Sequence, residues 1–420
     1  MEHLPVDVVG NIMSNISSAR DVVLASATCR KWREAFHKHL RVLSFRSSDW
    51  HGFHDLPTCQ IEILITRTIF QTTGLRSLIL VVDDFDELSA SVVMSWLLYT
   101  RGSLRELHYD VRTDPPLNVA EILGREKLER LILANSVIGN VLPGYLRFTS
   151  LRSLSLSYVH ISELDLDLLL IACINLESLE LVELDLAGHL ANLKVRAPNL
   201  RRFSMEDLCL DKLLLESDNI ECLYLRDCNL EYLKVIAKES LRKITIDNVI
   251  VPCLEICDSV VNLETIDIRN FMIPQPEFYQ LISRSSKLRT LRLWDVAYGE
   301  GTDAIDLEKI AVCCPQLSHL SLGCDLKENE LLPYHFQGSS FFENVVYLKV
   351  GWSNVLKDEF LDLVEALLER CPGLKKLAVD GVISGLKYHE NCQVLARFST
   401  SIARIMRKYI DLNVQFEFGN

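Results

Sequence analysis

The chain has 420 residues, of which 49% are hydrophobic, so it can build a large core and is not a disordered protein. Its 57 acidic and 44 basic residues give a net charge of −13, which argues against general nucleic-acid binding because that function requires a basic face. No apolar run reaches the ~18 residues of a membrane span, and the first residues lack a secretory signal. We therefore expect a soluble protein of the cytoplasm, the nucleus or both.

Residues 1–40 predict a module of three short amphipathic helices. Pro5 suits the first turn of a helix, and Ser18 with Asp21 resembles a capping box at the start of the second. The apolar residues recur at helical spacing: Val8, Val9, Ile12 and Ile16, then Val22 and Ala25, then Cys29, Trp32, Phe36 and Leu40. A core of this size gives only marginal stability on its own. We therefore expect the module to pack against the following residues or against a partner.

A repeated pattern, L-x-x-L-x-L with other apolar residues substituting, follows from residue 40 to residue 379. It opens at Leu40, Leu75, Leu104, Leu128, Leu151, Leu176, Leu200, Ile220, Leu241, Leu263, Leu288, Leu317, Val345 and Leu374. After a first gap of 35 residues, the openings are 20 to 29 residues apart, a spacing typical of leucine-rich repeats. The fourth and sixth positions of each motif face the core of a strand, and one unit cannot bury that face alone. The pattern predicts an α/β solenoid with a curved parallel sheet.

The segments between motifs predict the return paths of the solenoid. Helices are expected at 90–99, 165–172, 277–283, 307–312 and 359–369. At 190–195, 210–215 and 230–235 the motif recurs at half-period, which leaves no room for a helix and predicts extended segments. Finally, a helix at 392–409, with Leu395, Phe398, Ile402, Ile405 and Met406 on one face, and a strand at 410–418 predict a cap. The domains are thus 1–40, 41–391 and 392–420.

The N-terminal module resembles an F-box. The resemblance rests on Leu4-Pro5-x-Asp7-Val8-x₃-Ile12, then on Arg20-Asp21-Val22-x₂-Ala25-Ser26-x₂-Cys29-Arg30-x-Trp32-Arg33. With the repeats that follow, the whole chain is similar to the F-box/leucine-rich-repeat proteins of plants. The resemblance implies a non-catalytic substrate receptor of an SCF-type ubiquitin ligase. Its F-box would dock a Skp-type adaptor, and through it a cullin, while the repeats would capture a protein for ubiquitination and degradation.

The resemblance also assigns adaptor contacts to this chain. They carry over to Leu4, Pro5, Val8, Ile12, Val22, Ala25 and Trp32. Several of these residues fit the three-helix core equally well. Ile16 and Cys29 are expected in the core, whereas Leu4 and Pro5 precede the helices and are expected to contact the adaptor.

The substrate surface is expected on the concave face, at the third, fifth and seventh positions of the motifs. Between residues 200 and 294 these positions are locally basic and hold two large aromatic side chains. The candidates are Arg202, Tyr224, Arg226, Lys243, Arg269, Arg292 and Trp294. One interpretation is a patch that binds an acidic or phosphorylated segment; the other is a solvated face whose charges pair across strands. Surface loops at 298–306 and 325–343 are a further candidate.

No cofactor, metal or catalytic centre is predicted. Related receptors hold a small molecule or an inositol phosphate on the concave face, but no residue here requires one. Cys173, Cys314 and Cys371 precede repeat openings and are expected to be buried, reduced thiols. Neither the remaining cysteines nor the 11 histidines have metal-ligand spacing, and the common nucleotide, hydrolase and metalloprotease motifs are missing. The alternative function is a leucine-rich-repeat scaffold or inhibitor acting outside a ubiquitin ligase.

Overall fold

The computed structural model divides the chain into two units, Met1–Leu208 and Cys209–Asn420. It describes residues 4–419 apart from 17, 50–56, 83–86, 124–126, 142–147, 187–191, 257–259, 273–274, 298–303, 326–333, 337, 354–357, 383–395, 397–398, 402, 405 and 410. The boundary between the units falls inside the predicted repeat domain, and the N-terminal module belongs to the first unit.

The first unit begins with three helices and continues with strands and helices in alternation. Its described helices are α1 (Val6–Ser14), α2 (Ala19–Ala27), α3 (Arg30–His39), α4 (Thr58–Phe70), α5 (Ala90–Thr100), α6 (Val119–Leu123) and α7 (Glu163–Ala172), with a 3₁₀ turn at Ser47–Asp49. Its described strands are β1 (Val42–Arg46), β2 (Ser77–Val82), β3 (Leu88–Ser89), β4 (Glu106–Val111), β5 (Thr113–Asp114), β6 (Arg130–Ala134), β7 (Val137–Ile138), β8 (Ser153–Ser157), β9 (His160–Ile161), β10 (Ser178–Val182), β11 (Asp185–Leu186), β12 (Asn192–Arg196) and β13 (Arg202–Glu206). The three predicted helices of the module and the return helices at 90–99 and 165–172 are confirmed.

The main sheet of the first unit is parallel and follows repeat order. Its strands run β1–β2–β4–β6–β8–β10–β13, and equivalent motif positions pair, as in Leu131 with Leu154 and Leu154 with Leu179. Leu151, Leu154 and Leu156 of one repeat are at most 1% exposed. Each leucine buried in this way contributes about 1.5–3 kcal/mol relative to an exposed one.

The sequence did not predict α4 and α6. Isoleucine and threonine, which favour strands, are frequent in α4, but Ile61, Ile65 and Ile69 are four residues apart and are all buried. The indole Nε1 of Trp96 in α5 donates to Thr66 Oγ1 at 2.8 Å and fixes α4 to α5. Tertiary packing therefore overrides the local preference for a strand.

The helical module packs on the first repeats, as expected from its small core. The backbone N–H of Arg41 donates to Ser14 Oγ at 2.9 Å, and the N–H of Thr73 donates to the carbonyl of His37 at 2.9 Å. Helix α1 crosses α3 at Gly10, where a Cβ atom would lie only 2.3 Å from His39 Cβ. Ser18 precedes α2, but its hydroxyl accepts no hydrogen bond from the first turn, so the predicted capping box is wrong.

The second unit contains the remaining repeats. Its described helices are α8 (Gln275–Arg284), α9 (Leu307–Cys313) and α10 (Asp358–Arg370), with a 3₁₀ turn at Val260–Asn262. Its described strands are β14 (Cys209–Glu216), β15 (Cys222–Ile236), β16 (Lys243–Ile250), β17 (Cys253–Ile256), β18 (Thr265–Met272), β19 (Thr290–Ala297), β20 (Ile305–Asp306), β21 (His319–Asp325), β22 (Tyr334–His335), β23 (Tyr347–Ser353), β24 (Lys376–Val382) and β25 (Asn413–Gly419). The return helices predicted at 277–283, 307–312 and 359–369 are confirmed.

The main sheet of the second unit is also parallel, in the order β15–β16–β18–β19–β21–β23–β24–β25. Strand β15 is long because it continues beyond the motif, and its second half pairs with β14 on one side and β17 on the other. The half-period segments predicted at 210–215 and 230–235 are therefore extended, as is 192–196 in the first unit. Together the two units confirm the predicted α/β leucine-rich-repeat fold.

The eighth position of the motif has a left-handed backbone conformation; it directly follows the sheet strand in the first unit and lies within the longer strands of the second. Four such residues in the first unit and four in the second have φ between 44° and 54°. They are Asn135, Tyr158, Glu183 and Asp207, then Asp227, Asn248, Asn270 and Asp295. Most are asparagine or aspartate, the residues that tolerate this conformation best after glycine.

The predicted C-terminal cap is described only in part. Strand β25 extends the sheet in parallel with β24, as expected. Of the residues assigned to one helix face, Leu395, Phe398, Ile402 and Ile405 lie outside the described residues. Met406 is 38% exposed.

Candidate docking and substrate surfaces

An apolar surface is exposed on the first two helices of the module. Pro5 immediately precedes α1 and is exposed, and Leu4 is half-buried. Val8 and Ile12, four residues apart in α1, are 37% and 41% exposed. Exposed apolar side chains on a small helical module are typical of a surface that a partner covers.

Helix α2 adds two residues that the sequence reasoning missed, Val23 at 39% and Leu24 at 56% exposure. Val22, which was expected to touch the adaptor, is 1% exposed. That expectation is corrected, because Val22 lies in the core of the module. The missing signal was the triplet Val22-Val23-Leu24 itself: at about 100° per residue, a helix that buries Val22 together with Ala19 and Ser26 turns Leu24 to the opposite side and Val23 to the edge of the buried face.

The other module residues singled out from the sequence differ in how far they are exposed. Ala25, Trp32 and Ile16 are half-buried, so each has some surface that a partner could reach. Cys29 is exposed just before α3, and its expected place in the core is wrong. The module surface is therefore defined by Leu4, Pro5, Val8, Ile12, Val23 and Leu24.

The open face of the second unit, formed by the third, fifth and seventh motif positions, holds six of the seven candidate substrate residues. Strand pairing places Tyr224, Thr245, Asp267 and Arg292 in one row, and Arg226, Asp247, Arg269 and Trp294 in the next. Lys243 lies at a third position of this face and is exposed. The seventh candidate, Arg202, is exposed on β13 of the first unit.

Asp267 holds two of the candidate arginines. Its carboxylate, 7% exposed, accepts from Arg269 Nε at 3.0 Å and Nη2 at 3.2 Å, and from Arg292 Nη1 at 3.2 Å. The hydrogen bonds that Arg269 donates to Asp267 raise the pKa of Arg269 above its usual value. Arg226 contacts Asp227 at 3.2 Å. Of these pairs, only that of Arg292 with Asp267 joins two strands, as the second interpretation of this face expects. Arg269 and Arg226 pair with carboxylates of their own strands.

Trp294 lies flat on the neighbouring strands. The seventh positions of the next two repeats are Gly323 and Gly351, both buried, and they pair in register with Trp294 and with each other. A Cβ atom on Gly323 would lie 2.0 Å from Trp294 Cε3, and one on Gly351 would lie 2.2 Å from Cζ3. The indole therefore occupies space that only glycine leaves open.

The predicted loops at 298–306 and 325–343 are described only outside 298–303, 326–333 and 337. Within the described part, Tyr334 is 4% exposed. The expectation that it lies in a surface loop is therefore wrong for this residue. Its hydroxyl is 2.7 Å from the carbonyl oxygen of Gly323 and 3.1 Å from that of Leu293. Tyr334 thus anchors the return path to the strand ends beside Trp294.

The cysteines predicted to be core thiols are confirmed. Cys173, Cys314 and Cys371 are 1 to 3% exposed, and burial raises the pKa of each to about 12. Among the described residues, no His, Cys, Asp and Glu side chains cluster in a way that could hold a metal ion. Within the same part of the chain, no helix is long and apolar enough to span a membrane.

Comparisons with known proteins match both parts of the chain. Residues 1–42 match the F-box-like family model, and residues 96–205 match the model of the leucine-rich repeats of FBD-associated F-box protein At5g56370. F-box/LRR-repeat protein At1g67190 of Arabidopsis thaliana is 50% identical over 420 residues, which is 100% of both chains. F-box protein At1g10780 of the same plant is 26% identical over 191 residues, 43% of this chain and 44% of the relative. The chain therefore belongs to the family of F-box/LRR-repeat proteins.

Proposed function

We propose that this chain is the substrate-recognition subunit of an SCF-type ubiquitin ligase. Its F-box docks a Skp-type adaptor, which links it to a cullin, and its repeats capture a protein substrate for ubiquitination and proteasomal degradation. The observation that carries the proposal is the module surface, where Val8, Ile12, Val23 and Leu24 are between 37% and 56% exposed. An F-box whose apolar residues face solvent offers a partner the burial that drives association.

The mechanism is proximity. No residue of the chain is assigned to the transfer of ubiquitin, so its part is to raise the local concentration of the substrate near an enzyme recruited through the same assembly. The hydrogen bonds from Arg41 and Thr73 to the module favour this role, because they fix the module to the first repeats. No cofactor is required for this function, and we place it in the cytoplasm, the nucleus or both.

The adaptor contact is tested by replacing Leu4 and Pro5 with alanine in the full chain. Both residues precede α1, so their truncation leaves the helical core unchanged and should leave the circular dichroism spectrum unchanged. Co-purification of a Skp-type adaptor should be lost. If the doubly substituted chain still retains the adaptor, these two residues are not part of the contact.

The second candidate is a repeat scaffold or inhibitor that acts outside a ligase. The pairing of Arg226, Arg269 and Arg292 with acidic residues is compatible with an open face that captures no substrate for a ligase. The exposed module surface favours the ligase instead, because a scaffold without an adaptor has no use for it. An adaptor pull-down separates the two, since a scaffold would not retain the adaptor.

A further inference from the structure

Two neighbouring return helices of the first unit expose an apolar face. In α4, Ile63 is 49% and Phe70 is 44% exposed, and in α5, Met94, Leu98 and Tyr99 are between 38% and 46% exposed. We call these five residues the helix patch. Among the described side chains of α8, α9 and α10 in the second unit, only Val312 is a large apolar side chain of comparable exposure. The fold of the return helices therefore does not itself require such a face.

The helix patch is continuous because α4 and α5 lie side by side in parallel. Near their starts, Glu62 Oε1 accepts a hydrogen bond from the N–H of Ser89 at 2.6 Å. Near their ends, the ring centroids of Phe70 and Tyr99 are 4.8 Å apart. Residues four or seven apart on a helix share a face, so the members of the patch on each helix lie together. A contiguous apolar surface of this kind marks an interaction site.

The helix patch carries almost no charge. Helix α5 has no charged residue between Ala90 and Thr100, and α4 has one acidic and one basic residue, Glu62 and Arg67. The whole chain has a net charge of −13, so two copies repel each other unless they meet through an uncharged face. The helix patch is such a face, and its apolar side chains supply the burial that drives association.

The charged residues at the two ends of the patch complement those of a second copy. Arg67, in the last turn of α4, and Arg101, directly after α5, are exposed at the C-terminal ends. Glu62, in the second turn of α4, and the exposed Glu87, three residues before α5, lie at the N-terminal ends. A two-fold axis across the helices makes those of the two copies antiparallel, so the arginine end of each copy meets the glutamate end of the other. The helix dipoles favour the same arrangement.

The helix patch is separate from the module surface. Helix α3 lies against the end of α4, since the N–H of Thr73 donates to the carbonyl of His37. The exposed residues of α3 are all charged: Arg30, Arg33, Glu34 and Lys38. Apolar surface therefore does not continue across α3, and a contact at the helix patch leaves the module surface to the adaptor.

We propose that this chain forms a two-fold symmetric dimer through the helix patch. Met94 and Leu98 pack against the same residues of the second copy around the axis, and Phe70 and Tyr99 extend the apolar contact. Because the return helices pack on the buried side of the sheet, the opposite, open side stays accessible in both copies. The dimer does not depend on the proposed ligase function, and together they give an assembly that presents two receptors.

The test is analytical ultracentrifugation of the full chain without adaptor over a range of concentrations. The wild type should pass from the mass of one chain to the mass of two. Leu98→Ala should raise the Kd of the dimer about 10- to 80-fold, because Leu98 is 44% exposed and a symmetric dimer loses two such side chains. A wild-type chain that remains monomeric at about 100 µM would overturn the proposal.

Ile171→Ala is the matched control. Ile171 is 67% exposed on α7, which lies three return segments further along the sheet than α5. This variant should dimerise as the wild type does, and both variants should melt at the wild-type temperature because both side chains are exposed. If the wild type dimerises and Leu98→Ala has no more effect than Ile171→Ala, the dimer uses another surface and the proposal is wrong.

Cross-linking and charge reversal test the arrangement of the two copies. Met94→Cys should form a disulfide with the same residue of the second copy under mild oxidation, whereas Ile171→Cys should not; mass spectrometry of the linked peptides separates this bond from bonds of the native cysteines. Arg67→Glu should weaken the dimer, and Arg67→Glu combined with Glu87→Lys should restore it, because both ends then change sign. A dimer that is indifferent to Arg67→Glu would contradict the antiparallel arrangement.

Adaptor binding is measured on the same samples. Leu98→Ala should bind a Skp-type adaptor as the wild type does. If it weakens adaptor binding and leaves the mass of the free chain unchanged, the helix patch belongs to the adaptor contact and the proposal is overturned. A chain that dimerises but binds no adaptor counts against the proposed function and not against the dimer.

Discussion

Leu24→Ala tests the module surface at its most exposed apolar side chain. Leu24 is 56% exposed, and full burial of a leucine is worth about 1.5–3 kcal/mol. If the adaptor covers the whole exposed part, truncation should cost about 0.8–1.7 kcal/mol of binding free energy, which is about a 4- to 18-fold weaker Kd. The fold should persist, because Leu24 contributes little to the core.

The assay is calorimetric titration of the full chain with a purified Skp-type adaptor. Ile171→Ala is the matched control, since Ile171 is 67% exposed in the first unit but lies on α7, outside the module. The control should bind as the wild type does. If Leu24→Ala and Ile171→Ala bind the adaptor equally well, the exposed face of α2 is not the docking surface.

Three further variants or modifications test other parts of the structure. Gly10→Ala forces a methyl group to 2.3 Å from His39 Cβ, so hydrogen exchange of α1 and α3 should accelerate and adaptor binding should fall; unchanged exchange would refute the close crossing. Leu156→Ala, at 0% exposure, should lower the free energy of unfolding in urea by about 2–5 kcal/mol, and a loss below about 1 kcal/mol would contradict its place in the core. At pH 8, Cys173, Cys314 and Cys371 should resist iodoacetamide until the protein unfolds, because a pKa of about 12 keeps them as thiols, while the exposed Cys29, Cys59 and Cys253 should react. Equal labelling of both sets in the native protein would show that the buried thiols are accessible.

The core of the repeats could be predicted because two periods coincide there. Alternation within a strand fixes which of the motif residues face inward, and the regular spacing of the motifs fixes which residues are neighbours. Leu131, Leu154 and Leu179 therefore pair as the sequence pattern requires. The half-period segments were predicted for the same reason, since a short repeat has no length for a helix.

The module surface could be predicted only in part. Successive residues of a helix are about 100° apart, so Val22 and Leu24 lie about 200° apart on α2, and an error in the assumed helix face exchanges the buried and the exposed residue. The F-box resemblance predicts a set of adaptor-contacting residues, but it does not predict how the helix is rotated about its axis. Only the packing of Val22 against the rest of the module settles which side is buried.

On the open face, the sequence predicts which residue occupies each motif position but not which side chains contact one another. Asp267 occupies the same motif position as Arg292, and its burial depends on side chains from its own and the next strand folding over it. The surface on which the Trp294 indole packs could in principle have been predicted, because Gly323 and Gly351 are at the seventh positions of the next two motifs. This prediction requires aligning three repeats and recognising that the glycines leave space for the tryptophan side chain of the neighbouring strand.

The most direct test of the receptor account is affinity purification of the full chain from plant cells, with wild-type protein compared with an Ile12→Ala, Leu24→Ala double variant. The account predicts that the variant loses the Skp-type adaptor and the cullin and accumulates a protein that the wild type retains only when the proteasome is inhibited. Retention of the adaptor, or an identical set of bound proteins for both baits, would contradict it.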